Sequence, residues 1–147
     1  MGKTACNILQ VLSEHLSEVD NNHKMIAERI ASIHTFSPGE EFAFGDLEIL
    51  PVMIDHSAFD AYSFLIKEKT LKVLHTGDFR SHGFRSGKFL QAIRQYVGKV
   101  DYVVCEGTNI TRPNATNKTE QELQCRLEQS FKENKNNVVY VSSTNID

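Results

Sequence analysis

Apolar residues recur at helical spacing along the first part of the chain and switch to a strand-like pattern further on. Residues 4–19 carry Ala5, Ile8, Leu9, Leu12, Leu16 and Val19, the stripe of one helix face. Asp20-Asn21-Asn22 interrupts the stripe and can cap a second helix, whose apolar positions are Met25, Ile26, Ile30 and Ile33. Ser37-Pro38-Gly39 reads as a turn. From Glu41 onward come Phe42 and Phe44, a Gly45-Asp46 turn, and an apolar run over 47–54. Residues 61–67 and 71–76 predict a hairpin closed around Glu68-Lys69-Thr70. Phe89, Leu90, Ile93 and Val97 mark a helical face within 88–97, and 101–105 reads as a short buried strand. Thr119 and Glu122 have the spacing of a capping box for a helix running to about Lys132, with Leu123, Leu127 and Phe131 expected to face inward. A last strand is expected at 138–141. The order α-α-β-β-β-β-α-β-α-β predicts an α/β (α+β layered) fold, a mixed or partly antiparallel sheet with flanking helices.

Composition narrows this picture. The 147 residues suit one domain, and 40% apolar content is enough for a packed core. A net charge of −3 with both signs interspersed is unlike a strongly basic nucleic-acid binder, so a polyanion would have to meet a local basic patch. Cys6, Cys105 and Cys125 are odd in number and widely spaced, which fits neither a disulfide framework nor a zinc knuckle. Reduced thiols and a cytoplasmic setting are expected. No apolar run approaches the length of a membrane span, and the N-terminus lacks a signal-peptide core. A helix starting almost at residue 1 and a strand entering a loop at 138–147 suggest a piece of a larger protein, a single partial domain over 1–147.

The chemistry is concentrated at the ends of apolar runs. His56 follows Ile54 and Asp55 after the run at 47–54; Asp78 follows His75-Thr76-Gly77 after the run at 71–74. Strand ends are where α/β folds place their sites. An imidazole and a carboxylate suit zinc or a similar divalent ion, while the plain alternative is a hydrogen-bonded core histidine and a turn aspartate. Residues 79–88 form a basic loop beside Asp78, in which Arg80, His82, Arg85 and Lys88 could meet phosphates and Phe84 could stack; the alternative is a solvated loop. His75 and Cys105 read as structural, Cys105 as a buried strand thiol. Gly2-Lys3-Thr4 matches the tail of a phosphate-binding loop without the earlier glycine and strand that motif needs, so Thr4 is expected to help cap the first helix.

Taken together, Asp55-His56-Ser57, Thr76-Gly77-Asp78-Phe79-Arg80 and Glu106-Gly107-Thr108-Asn109 resemble the metallo-β-lactamase superfamily, and within it the β-CASP branch that includes ribonuclease J type enzymes. His56 and Asp78 lie about twenty positions apart, as the motifs of that family do. The resemblance implies a partial αββα sandwich, with residues 138–147 leading into a β-CASP region. It implies that His56 is a metal ligand, that Asp78 bridges two zinc ions, and that Glu106 is a catalytic acid supporting a downstream histidine. It implies RNA or another nucleic acid as partner, with Arg80 and His82 on the substrate side. In the family's mechanism the two metals lower the pKa of a bound water, which attacks a phosphodiester.

The family's His-x-His-x-Asp-His string is absent, since His15, His23 and His34 are too far apart to form it. The expectation is therefore a fragment of a zinc-dependent nuclease, inactive alone, with weak or no metal binding. A non-catalytic domain of the same fold that binds RNA or protein is the alternative. Half a sandwich leaves apolar sheet surface uncovered, so self-association is also expected.

Overall fold

The computed structural model describes residues 1–111, 117–138 and 140. Two helices, α1 (Lys3–Leu16) and α2 (Asn21–Ala31), pack on each other at the start of the chain. Asp20 caps α2 as expected, its carboxylate accepting the Asn22 N–H at 3.0 Å. α1 stops at Leu16, so Val19 falls beyond it and is exposed. The sheet then forms in chain order from β1 (Phe42–Phe44), β2 (Leu47–Met53), β3 (Tyr62–Glu68), β4 (Leu71–His75) and β5 (Tyr102–Val104). The first three pairings are antiparallel and β4–β5 is parallel, which makes the sheet mixed. Between β4 and β5 the chain crosses over through α3 (Ser86–Ala92), which runs on into one π-helical turn at Ile93–Val97. The last helix, α4 (Glu120–Glu133), begins with the expected capping box between Thr119 and Glu122. The Thr119 N–H and hydroxyl hold the exposed Glu122 carboxyl below its usual pKa.

Alternation along the strands divides the sheet into two unlike faces. Leu50 and Val52 of β2, Leu65 of β3 and Leu74 of β4 form the core with Val97, and Ala92, Ile93 and Val100 pack against it. The crossover thus covers this face. On the other face Phe42, Phe44, Ile49, Tyr62, Phe64 and Ile66 line an apolar trough of about 530 Å³ to which no helix contributes a residue. Phe36 sits over part of it, with ring centroids 5.6 Å from Phe42, 5.0 Å from Tyr62 and 5.6 Å from Phe64.

Three expectations need correction. The strand at 101–105 is not buried: β5 is the edge of the described sheet, Tyr102, Val103 and Val104 are all at least half exposed, and the Cys105 thiol is exposed with them. Leu123, Leu127 and Phe131 do form a stripe on α4, but all three are exposed because no described residue is packed closely over them. Thr4 makes no cap to α1; a carboxylate from elsewhere in the chain does that work. The strand expected at 138–141, and the entry to a further region at 138–147, fall mostly outside the described residues.

Candidate active-site edge

The topology decides which loops meet. β2 and β4 both run antiparallel to β3, and β5 runs parallel to β4, so β2, β4 and β5 all end at the same side of the sheet. His56 lies just after β2, Asp78 just after β4 and Glu106 just after β5. The sequence-predicted residues are therefore brought to one edge. The register supports this placement: Met53 pairs with Tyr62, Phe64 with His75, and His75 with Val104.

Hydrogen bonds then stitch the three loops together around Asp78. The Phe79 N–H donates to Glu106 Oε1 at 2.8 Å, and the Arg80 N–H donates to the Asp55 carbonyl at 2.8 Å. The two residues that follow Asp78 are thus tied to the other two loops. Behind them the Ser63 hydroxyl, fully buried, donates to the Thr76 carbonyl at 2.6 Å. Gly77 makes the turn possible. Its φ is +62°, and a Cβ there would stand 2.8 Å from the Tyr62 carbonyl oxygen, so both the backbone conformation and the space require glycine. The Gly77 N–H donates to His75 Nδ1 at 3.2 Å, which gives His75 the structural role its position suggested.

The candidate ligands differ in setting. His56 is half-buried with its Nδ1 3.2 Å from the Ser57 hydroxyl, and Asp78 is exposed. Glu106 is half-buried and uses one carboxylate oxygen to hold the Phe79 N–H. An imidazole and a carboxylate are suitable zinc donors, but a zinc site takes three or four. Among the described residues no three of His, Cys, Asp and Glu gather in a metal-holding group. One imidazole and one carboxylate at this edge are two of the three or four donors that a zinc ion would need.

Arg80 and His82 lie in the same loop with different surroundings. The Arg80 guanidinium is mostly buried between two carboxylates, Nε at 3.5 Å from Asp55 and an Nη at 2.5 Å from Glu120. His82 is half-buried, and its carbonyl accepts the Glu120 N–H at 2.9 Å. Arg85 lies over the Phe59 ring, 4.2 Å from its centroid, and donates to the Phe59 carbonyl. Lys88 and Phe84 are exposed. Sequence reading passed over Asp55 and Glu120. Asp55 is only 2% exposed, and the signal for it was an acid in an apolar run close to an arginine-bearing loop.

A second carboxylate, Asp60, sits near the start of β3. It accepts the Ala5 N–H at 2.7 Å, capping α1, and also the Tyr62 hydroxyl. The seat where a phosphate-binding loop would hold an anion is thus filled by the chain's own acid. Burial, then the hydrogen bond to Asp60 and its charge, raise the Tyr62 pKa well above its ordinary value, against a smaller opposing pull from Arg85. The unfolded chain ionises this tyrosine at about pH 10 while the folded chain still holds the proton. Stability should therefore fall as pH rises above about 10. In a spectrophotometric titration, one of the four tyrosines should ionise late, and that late component should vanish in Tyr62→Phe. A titration unchanged by the substitution would count against this.

No family model matches the chain, and no curated protein matches it. Among solved structures, a protein of unknown function from Enterococcus faecalis aligns over 70% of this chain with a TM-score of 0.61 and 22% identity. A mutant of the CmlA beta-hydroxylase aligns over 71% with a TM-score of 0.43 and 15% identity. The chain covers 26% of the first structure and 22% of the second, about a quarter of their length. The first likeness supports the fold. No helix among the described residues is long and apolar enough to cross a membrane.

Proposed function

We propose that this chain is part of a metallo-β-lactamase-type core from a zinc-dependent hydrolase of the β-CASP kind, one that cleaves phosphodiesters in RNA. In this reading His56 and Asp78 are two of the zinc ligands, Glu106 is the acid behind them, and the remaining ligands come from outside these 147 residues. The observation that carries the reading is the convergence of three loops on one edge, with Phe79 and Arg80 bonded to the loops on either side of Asp78. Zinc would supply a water acidic enough to ionise near neutral pH. This chain's contribution is to hold an imidazole and a carboxylate on a rigid sheet edge. The three free thiols support a cytoplasmic setting.

Alone, the chain should be inactive. Calorimetric titration with zinc should show no stoichiometric binding in the micromolar range, because two donors leave the ion largely to water. Tight one- or two-ion binding together with phosphodiesterase activity would overturn the proposal.

The open aromatic face favours a second reading, a non-catalytic domain of the same fold that binds RNA or protein through that face. Both readings share one expectation about the isolated chain. With the trough around Phe42, Phe44 and Phe64 only partly covered by Phe36, and β5 at the edge of the described sheet, it should self-associate. Light scattering during size-exclusion chromatography should give a mass above that of one 16.7 kDa chain, rising with concentration. A clean monomer at high concentration would refute this.

A further inference from the structure

We infer that Arg80 is a positioning residue, a buried latch that fixes the loop after β4 against the loop after β2 and fastens α4 to both. The term positioning rests on the proposed metal edge; the latch itself rests only on the contacts. Asp55, 2% exposed, holds the Gly83 N–H on Oδ2 at 2.8 Å and faces Arg80 Nε with Oδ1 at 3.5 Å. The other end of the guanidinium reaches Glu120 Oε1 at 2.5 Å. Glu120 Oε2 accepts the Phe84 N–H at 2.9 Å, and the Glu120 N–H donates to the His82 carbonyl at 2.9 Å. One arginine therefore bridges two carboxylates, and both carboxylates also grip the backbone of the same 79–85 loop.

The latch matters because α4 has little else to hold it. Among the described residues, the hydrogen bonds and ion pairs that join α4 to the sheet side all pass through Glu120, and every other residue of the helix is exposed. A guanidinium suits the task better than an ammonium. Its planar fork presents several donors at once, it stays charged, and it is less costly to strip of water. With the fork in place, His56, which adjoins Asp55, and Asp78, two residues before Arg80, keep a fixed separation. Without it, the two loops keep the backbone bond from Arg80 to Asp55, the Gly83 N–H on Asp55 and the Arg85–Phe59 contact, but lose the charge bridge that ties them to α4. The same contacts set this reading against a phosphate-binding role for Arg80, since the guanidinium already faces two anions.

The test uses the 147-residue chain and needs no metal. Nitroxide labels at Ala58 and Ser81, both exposed, report the spacing of the two loops through dipolar broadening of their spectrum. Hydrogen exchange reports the amides of Gly83, Phe84 and Glu120. In Arg80→Gln, and in the milder Glu120→Gln, exchange at Phe84 and Glu120 should quicken about tenfold or more while amides in β2–β4 stay protected. The label spacing should broaden in Arg80→Gln. The double variant should be no faster than the faster single one, because both remove the same bridge. Arg80→Lys should recover only part of the loop spacing. Unchanged exchange and unchanged spacing in both single variants would overturn the latch. So would additive effects, or a loss of oligoribonucleotide binding in Arg80→Gln with the loops unmoved; that last result would return Arg80 to substrate contact. None of these readouts depends on zinc, so failure here is separable from failure of the proposed function.

Discussion

Gly83→Ala should cost this chain most of its stability. An added Cβ would lie 2.2 Å from Asp55 Oδ1 and 2.6 Å from Oδ2, distances that real side chains do not tolerate. The carboxylate cannot swing into water, since Asp55 is 2% exposed. It would have to give up the Gly83 N–H and shift away from Arg80 while staying buried. Breaking a buried charge out of its partners costs about 3–5 kcal/mol. Set against a total stability of about 5–15 kcal/mol for a domain, that loss would leave a large unfolded fraction. Gly87→Ala is the control: nothing lies within 4 Å of its Cβ position, and at the second residue of α3 alanine gains a fraction of the roughly 0.5–1 kcal/mol it has over glycine in mid-helix. Urea titrations of the two variants should move in opposite directions. Equal midpoints would mean that Asp55 is not held as described, and the latch built on it would go too.

The contrast between Gly83 and Gly87 shows what pattern reading can and cannot reach. Both glycines stand in the same loop-to-helix stretch, and the sequence does not distinguish them. Periodicity found the helices and the hairpin, because a stripe or an alternation is a property of neighbouring residues. The capping box at Thr119 and Glu122 was legible for the same reason, since its partners are three residues apart. The α1 cap was not legible, because Asp60 is far along the chain from Ala5. Burial was misjudged wherever it depends on what lies opposite. Val103 and Val104 read as core, yet they lie on the edge strand of the described sheet and are half exposed. Leu123, Leu127 and Phe131 were correctly read as a stripe, but a stripe says nothing about what covers it.

The candidate site divides in the same way. His56 and Asp78 stood out because each follows an apolar run, and Glu106 because its motif resembles that of the family; the topology then placed all three on one edge. The charge network beneath them did not stand out. Asp55, Arg80 and Glu120 are scattered through the chain, and only the fold makes them neighbours. The basic loop at 79–88 illustrates the consequence. Read as a string it offers its cations to a phosphate; in the structure Arg80 lies between carboxylates and Arg85 over a ring, while Lys88 stays exposed.

On the proposed reading, substitutions in the intact protein should fall into a ranked series. His56→Ala and Asp78→Ala each remove a donor from a centre that needs three or four at every ion, so zinc retained after dialysis should drop below one ion per chain and phosphodiesterase activity should be lost. Glu106→Gln should be milder. Glu106 acts through a backbone N–H and, on this reading, through a histidine it supports, and loss of such an outer partner costs about 10–100-fold in affinity or activity. His75→Ala should leave metal content unchanged, because its Nδ1 is engaged by the Gly77 N–H and its role is to hold the turn. The order matters more than any single value. A metal site made elsewhere, with these residues only shaping the sheet edge, would give zinc content that tracks folding, and His56→Ala and His75→Ala would then look alike. Only direct ligation separates two histidines that flank the same edge.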